Sequence, residues 1–134
     1  MADARDLEQV EAVVAEATDQ FGGIDIVCAN AGIASWATSW EMTALQWKEM
    51  VDINLTGVFN TVRAALPGMI SRGNGGSIVL TSSTAGINGY QNTAHYTAAK
   101  HGVIGLMKVM AQEVGQYSIR VNAVCPTTVN TPMV

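Results

Sequence analysis

Charge is scarce in this 134-residue chain, where 13% of residues are Asp, Glu, Lys or Arg against 49% hydrophobic ones. A charged fraction that low, below the usual soluble average, requires much of the chain to be buried. The seven Lys and Arg residues are scattered and outnumbered by eleven Asp and Glu, for a net charge of −4. No basic patch is left to follow a phosphate backbone, so nucleic acid is excluded as a partner. Long apolar runs are missing too, and the amino terminus is acidic and polar, so neither a membrane span nor a secretory signal is expected. Cysteine is limited to Cys28 and Cys125, each inside an apolar run (IVCA and AVCP) where a reduced thiol packs as a small hydrophobe. That pattern suits a cytoplasmic protein. The two cysteines and the two histidines, His95 and His101, show none of the paired spacings of a zinc site, and no metal is expected. Repeats, low-complexity tracts and linkers are absent, and the length fits one compact domain or a piece of a larger one.

What is present alternates between two periodicities. Asp6 can cap a helix whose apolar positions Leu7, Val10, Val13, Val14 and Ala17 recur at helical spacing, and Gly22-Gly23 stops it. Residues 24–29 are β-branched and apolar on both parities, which predicts a strand covered on both faces. After a loop rich in Ser, Thr and Trp, a long helical pattern begins at Thr43 and runs through Leu45, Met50, Ile53, Val58, Val62, Ala65, Leu66 and Met69. Pro67 is expected to bend it before the glycine cluster at 72–76. Residues 77–81 read as a second strand and 82–92 as a loop. Thr93 can cap a third helix reaching about residue 116, and 118–124 form a third strand that Pro126 ends. Helices alternating with short buried strands predict an α/β fold, a Rossmann-like doubly wound parallel sheet with helices on both faces.

A sheet of this kind binds ligands at the carboxyl ends of its strands. Those ends carry Asn30-Ala31-Gly32, Ser82-Ser83 and Cys125-Pro126-Thr127, all small or polar, so backbone can approach a flat ring or a sugar closely. Taken alone, Asn30 and Gly32 are better explained by a simple turn. On the third helix Tyr96 and Lys100 stand four residues apart and so share one face. An ammonium beside a phenol favours the phenolate, which tunes the phenol for general acid or base work. Ser83, ending the neighbouring strand, can bring its hydroxyl to the same substrate oxygen. Asn54 is a polar residue inside the apolar stripe of the long helix, readable either as a satisfied core amide or as a functional group.

Taken in order, Asn30-Ala31-Gly32, Asn54, Ser83 and Tyr96-x-x-x-Lys100 resemble the short-chain dehydrogenase/reductase family along essentially the whole chain. The resemblance implies a catalytic set of Asn54, Ser83, Tyr96 and Lys100. In it tyrosine exchanges the proton with the substrate oxygen, lysine binds the nicotinamide ribose, serine orients the carbonyl and asparagine holds a relay water. It implies cofactor contacts at Asp3 (adenine amino group), Asn30, Ala31, Gly32, Thr81, Tyr96 and Lys100. Pro126, Val129 and Thr131 follow, in a CPTTVNTPM segment where Thr127 replaces the family's usual glycine. The strings LTSSTAG, HYTAAKHGV and PTTVNTPM are most similar to the carveol dehydrogenase-like and mycofactocin-associated branch. The activity so implied is interconversion of a secondary alcohol and a ketone by hydride transfer, with NAD as cofactor and NADP not excluded. The resemblance further implies that residues 1–134 are the central part of a single dinucleotide-binding oxidoreductase domain, lacking the N-terminal glycine-rich unit and the C-terminal substrate lid. It also implies a homodimer or homotetramer formed through the helices at 43–71 and 93–115, to which Met107, Val109 and Met110 contribute. The alternative is a non-catalytic truncated relative acting as an oligomerisation or interaction module. Trp36, Trp40 and Trp47 are candidates for lining a substrate entrance or for amphipathic anchoring.

Overall fold

The computed structural model describes residues 1–131. Helix α1 (Leu7–Phe21) starts because the Asp6 carboxylate accepts from the Glu8 and Gln9 amides, and it stops at Gly22, which takes a left-handed φ of 81°. Strand β1 (Ile26–Ala29) follows. Helix α2 (Ala44–Val51) opens on a reciprocal capping box between Thr43 and Gln46. It does not end there. A π-helical turn, Asp52–Thr56, carries it into α3 (Gly57–Arg72), so the single helix expected from residue 43 onward contains an inserted wide turn. Pro67 lies inside α3, which continues past it to Arg72. Strand β2 (Gly76–Thr81), a short 3-10 turn at Thr84–Gly86, helix α4 (Ala94–Val114) and strand β3 (Ile119–Val124) complete the order. Thr93 occupies the N-cap position of α4 without capping it; its hydroxyl is taken by the Tyr90 carbonyl and the Thr97 hydroxyl. Among the described residues no helix is long and apolar enough to cross a membrane.

The three strands are parallel in the order β1-β2-β3, with Val27 beside Ile78 and Ile78 beside Val121. This is the central part of an α/β, Rossmann-like doubly wound sheet. Its core is built where α3 presents Val58, Val62, Ala65 and Met69, and α4 presents Val103, Met110 and Val114, to the row formed by Val27, Ile78, Leu80, Ile119 and Val121. Burying these side chains stabilises by roughly 1.5–3 kcal/mol each, before the entropy of ordering them is subtracted. The expectation that residues 24–29 are covered on both sides is corrected. Val27 and Ala29 are buried while Ile26 remains 67% exposed. Cys28 is likewise exposed rather than packed as a small hydrophobe. The apolar run on both parities marks a strand made for two covered faces, and within these residues α3 and α4 cover one.

Candidate functional site

Parallel pairing brings Ala29 level with Leu80, and Thr81 level with Val124, so all three strands release their chains along one crest. The crest is stitched together by the Thr81 hydroxyl, which donates to Asn30 Oδ1 at 2.9 Å. A cavity of about 710 Å³ opens there, lined by Asn30, Gly32, Thr81, Ser83, Tyr96 and Lys100, with Pro126, Val129 and Thr131 on its far side. Most of the residues singled out from the sequence therefore meet in one place. The string CPTTVNTPM is represented as far as Thr131; Pro132 and Met133 lie outside the described residues.

Tyr96 and Lys100 project from neighbouring turns of α4, with Lys100 Nζ 5.6 Å from the centre of the Tyr96 ring. Lys100 is only 3% exposed, and its Nζ donates to the Thr81 carbonyl at 2.8 Å. Burial pulls its pKa down from 10.5 to about 8. Two of its three N–H bonds remain for a ligand. Ser83 has an extended backbone, and its Oγ accepts from the Ala85 amide at 3.1 Å, which starts the short 3-10 turn. Gly86 in that turn packs so closely on α4 that a Cβ there would stand 2.8 Å from the Lys100 carbonyl oxygen.

Asn54 is fully buried in the π turn, directly behind Gly32 and not itself among the residues lining the cavity. Its Oδ1 accepts from the Ile33 amide at 3.2 Å, while its Nδ2 donates to the Ile33 carbonyl at 3.0 Å and the Met50 carbonyl at 3.1 Å. The side chain is thus a satisfied core amide that pins the loop after β1. Gly32 is obligatory beside it, since a Cβ would lie 2.7 Å from Asn54 Oδ1. Ala31 is exposed and does not line the cavity. Asp3 is also outside it, and its carboxylate is held by the Arg5 guanidinium at 2.6 Å, which brings its pKa down to about 2. Trp36 lines the cavity, whereas Trp40 and Trp47 do not.

Two features escaped the sequence. Ser82 is buried and donates to the Lys100 carbonyl at 2.9 Å, tying the end of β2 to the middle of α4. His95 is wholly buried next to Tyr96, and burial holds its pKa below the usual imidazole value. The signal for His95 was present, because His95, Ala99 and Val103 recur at helical spacing on the covered face of α4.

Residues 1–134 match the family model described as short chain dehydrogenase. The chain is 52% identical over 134 residues to (−)-trans-carveol dehydrogenase of Rhodococcus erythropolis, covering 99% of this chain and 48% of that protein. It is 44% identical over 135 residues to levodione reductase of Leifsonia aquatica, covering 100% of this chain and 50% of the relative. Among solved structures, carveol dehydrogenase from Mycobacterium avium in complex with NAD superposes with a TM-score of 0.97 at 51% identity, over 99% of this chain and 48% of the other. The chain spans about half the length of the curated relatives it matches.

Proposed function

The chain belongs to the short chain dehydrogenase family, and from that premise we propose that it forms the central part of a dinucleotide-binding domain whose activity is NAD-dependent interconversion of a secondary alcohol and a ketone. The observation that carries this reading is the gathering of Ser83, Tyr96 and Lys100 around one cavity at the strand crest. Tyr96 delivers a proton to the carbonyl oxygen in reduction and removes it in oxidation, and the Ser83 hydroxyl orients that oxygen by a hydrogen bond. Lys100 uses its two remaining N–H bonds on ribose hydroxyls. Asn54 contributes by fixing the π turn and Ile33, where its amide is engaged with the Ile33 backbone and the Met50 carbonyl.

The residues present fit a nicotinamide and its ribose. Gly32 leaves the floor beside Lys100 Nζ open, where a Cβ would approach to 3.6 Å, and Asn30, Thr81, Pro126, Val129 and Thr131 supply small or polar walls. When bound, the nicotinamide supplies or accepts the hydride. The similar Mycobacterium avium structure is a complex with NAD, which favours NAD over NADP. Asp3 and Ala31 belong to the adenosine side of this proposal, and Asp3 reaches an adenine amino group only by sharing its carboxylate with Arg5. The free thiols of Cys28 and Cys125 support a cytoplasmic setting. Assembly into a homodimer or homotetramer is supported by an apolar groove between the start of α3 and α4, lined by Leu55, Phe59, Gly102, Gly105 and Val109.

Titration of NADH into the chain, followed by quenching of tryptophan emission, tests the cofactor half of the proposal. Tyr96→Phe is expected to retain that binding while alcohol oxidation falls by about 10²–10⁴-fold or more. Retention of most activity by Tyr96→Phe overturns the reading, whereas absence of NADH binding by the parent chain supports the alternative of a truncated, non-catalytic interaction module.

A further inference from the structure

The loop after β1 is held at three points, and Trp36 lies between two of them. Upstream, both backbone groups of Ile33 are bonded to the Asn54 amide. Downstream, the Ala37 amide donates to the Asn92 carbonyl at 2.9 Å, and Ala37 forms an isolated parallel bridge with Thr93. Asn92 is one of only two non-glycine described residues with positive φ, at 62°, a conformation that asparagine tolerates. The third point is a side-chain pair. Ser35 Oγ and His95 Nε2 are 2.9 Å apart, and His95 is fully buried one residue before Tyr96.

A fully buried imidazole is costly unless its nitrogens are occupied. Among the described residues Nδ1 has no hydrogen-bond partner, and the Thr93 backbone opposes the larger downward effect of burial on the imidazole pKa. The bond to Ser35 is therefore the main polar interaction that His95 makes. It bridges residues 60 apart in sequence and ties the loop to the first turn of α4. Trp36 itself is 63% exposed and contributes to the cavity wall together with Tyr90 and Tyr96. One of the Lys100 N–H bonds is already committed to Thr81. The broad faces of Trp36, Tyr90 and Tyr96 on one cavity, with Lys100 as its one charged side chain among the described lining residues, favour flat or ring-shaped neutral ligands.

We propose that His95 is a positioning residue that, through Ser35, fixes Trp36 as the specificity-determining wall of the cavity, selecting ring-bearing neutral alcohols and ketones over small acyclic ones. This rests on the alcohol–ketone reading of the site, and two separate measurements distinguish its failure from the failure of that reading. With Trp40→Phe and Trp47→Phe in place, Trp36 is the sole tryptophan, and acrylamide quenching reports how firmly it is held with no ligand or turnover involved. His95→Phe and Ser35→Ala each raise the quenching constant, whereas His95→Gln, which keeps a polar group near the Nε2 position, does not. In turnover with NAD, His95→Phe and Ser35→Ala raise KM for cyclohexanol by about fivefold, the equivalent of one lost hydrogen bond, and leave kcat and the KM for 2-propanol unchanged. Ser35→Ala keeps the test open where His95→Phe fails to fold. Unchanged Trp36 quenching overturns the proposal, as does an equal loss for both alcohols. If the parent chain oxidises neither alcohol, the alcohol–ketone reading falls, and the quenching result alone then decides whether His95 and Ser35 hold Trp36.

Discussion

Lys100 is retained against its own cost. Its ammonium is buried, it has one protein acceptor in the Thr81 carbonyl, and its pKa falls from 10.5 to about 8 because burial disfavours the charge. The folded chain thus binds this proton less tightly than the unfolded chain does. The penalty is complete below pH 8 and is relieved as pH rises from about 8 to 10.5, so Lys100 makes stability increase with pH across that window. Lys100→Met keeps the stem and removes the charge. It is expected to stabilise the chain at pH 7 by about 1 kcal/mol after the lost bond to Thr81 is counted, and the advantage in melting temperature should shrink between pH 8 and 10.5. A pH-independent difference, or destabilisation at pH 7, contradicts the burial argument. The same substitution abolishes the proposed ribose contact, which is the trade expected where a site holds a strained charge. Tyr96 and Lys100 were readable from the sequence because helical geometry turns a spacing of four into proximity. The pairing of Ser35 with His95 was not, since nothing local links residues 60 apart.

At the scale of elements, the joined helix from α2 to α3 does more than cover the sheet. Its π turn at Asp52–Thr56 faces Asn54 toward Ile33, and the loop after β1 takes its position from that contact. Asn54→Ala removes partners from the amide and carbonyl of Ile33 and from the Met50 carbonyl together. A loss of about 2–3 kcal/mol in chemical denaturation is expected, with faster proteolysis within residues 33–42 than elsewhere. Equal protection of that loop in the variant argues that Ala37 and Ser35 suffice to hold it. The helix was visible in the sequence and its π turn was not. One extra residue per turn changes the hydrogen bonding but leaves apolar positions such as Met50 and Val58 facing the core. Likewise the alternation of elements predicted a parallel sheet, while the one-sided exposure of Ile26 and Cys28 could not be read from an apolar run. Thr93 shows the same limit, because a residue suited to capping α4 is drawn instead to Tyr90 and Thr97.

At the scale of the molecule, two apolar surfaces formed by the described residues are candidates for self-association. One is the sheet face bearing Ile26 and Val124, 67% and 45% exposed; the other is the groove where α3 begins beside α4. In the groove Gly102 and Gly105 remove side chains from α4, Leu55 packs into the space at Gly102, and Phe59 and Val109 stand 40% and 53% exposed on either side. A shallow trough flanked by two apolar ridges is self-complementary, so a two-fold axis can set the Phe59 and Val109 of one copy into the trough of another. A sheet face crossed by Asn122 and Arg120 offers no comparable fit. Val109→Glu places a charge at the proposed contact without touching the core, since Val109 faces away from Val103 and Met110. Desolvating that carboxylate without a partner costs several kcal/mol, enough to weaken self-association more than about 100-fold. Sedimentation velocity over a concentration series should show the parent dimerising and Val109→Glu remaining monomeric, with circular dichroism unchanged. If both sediment alike, the groove is not the dimer surface, and the exposed sheet face becomes the place to substitute next, at Ile26.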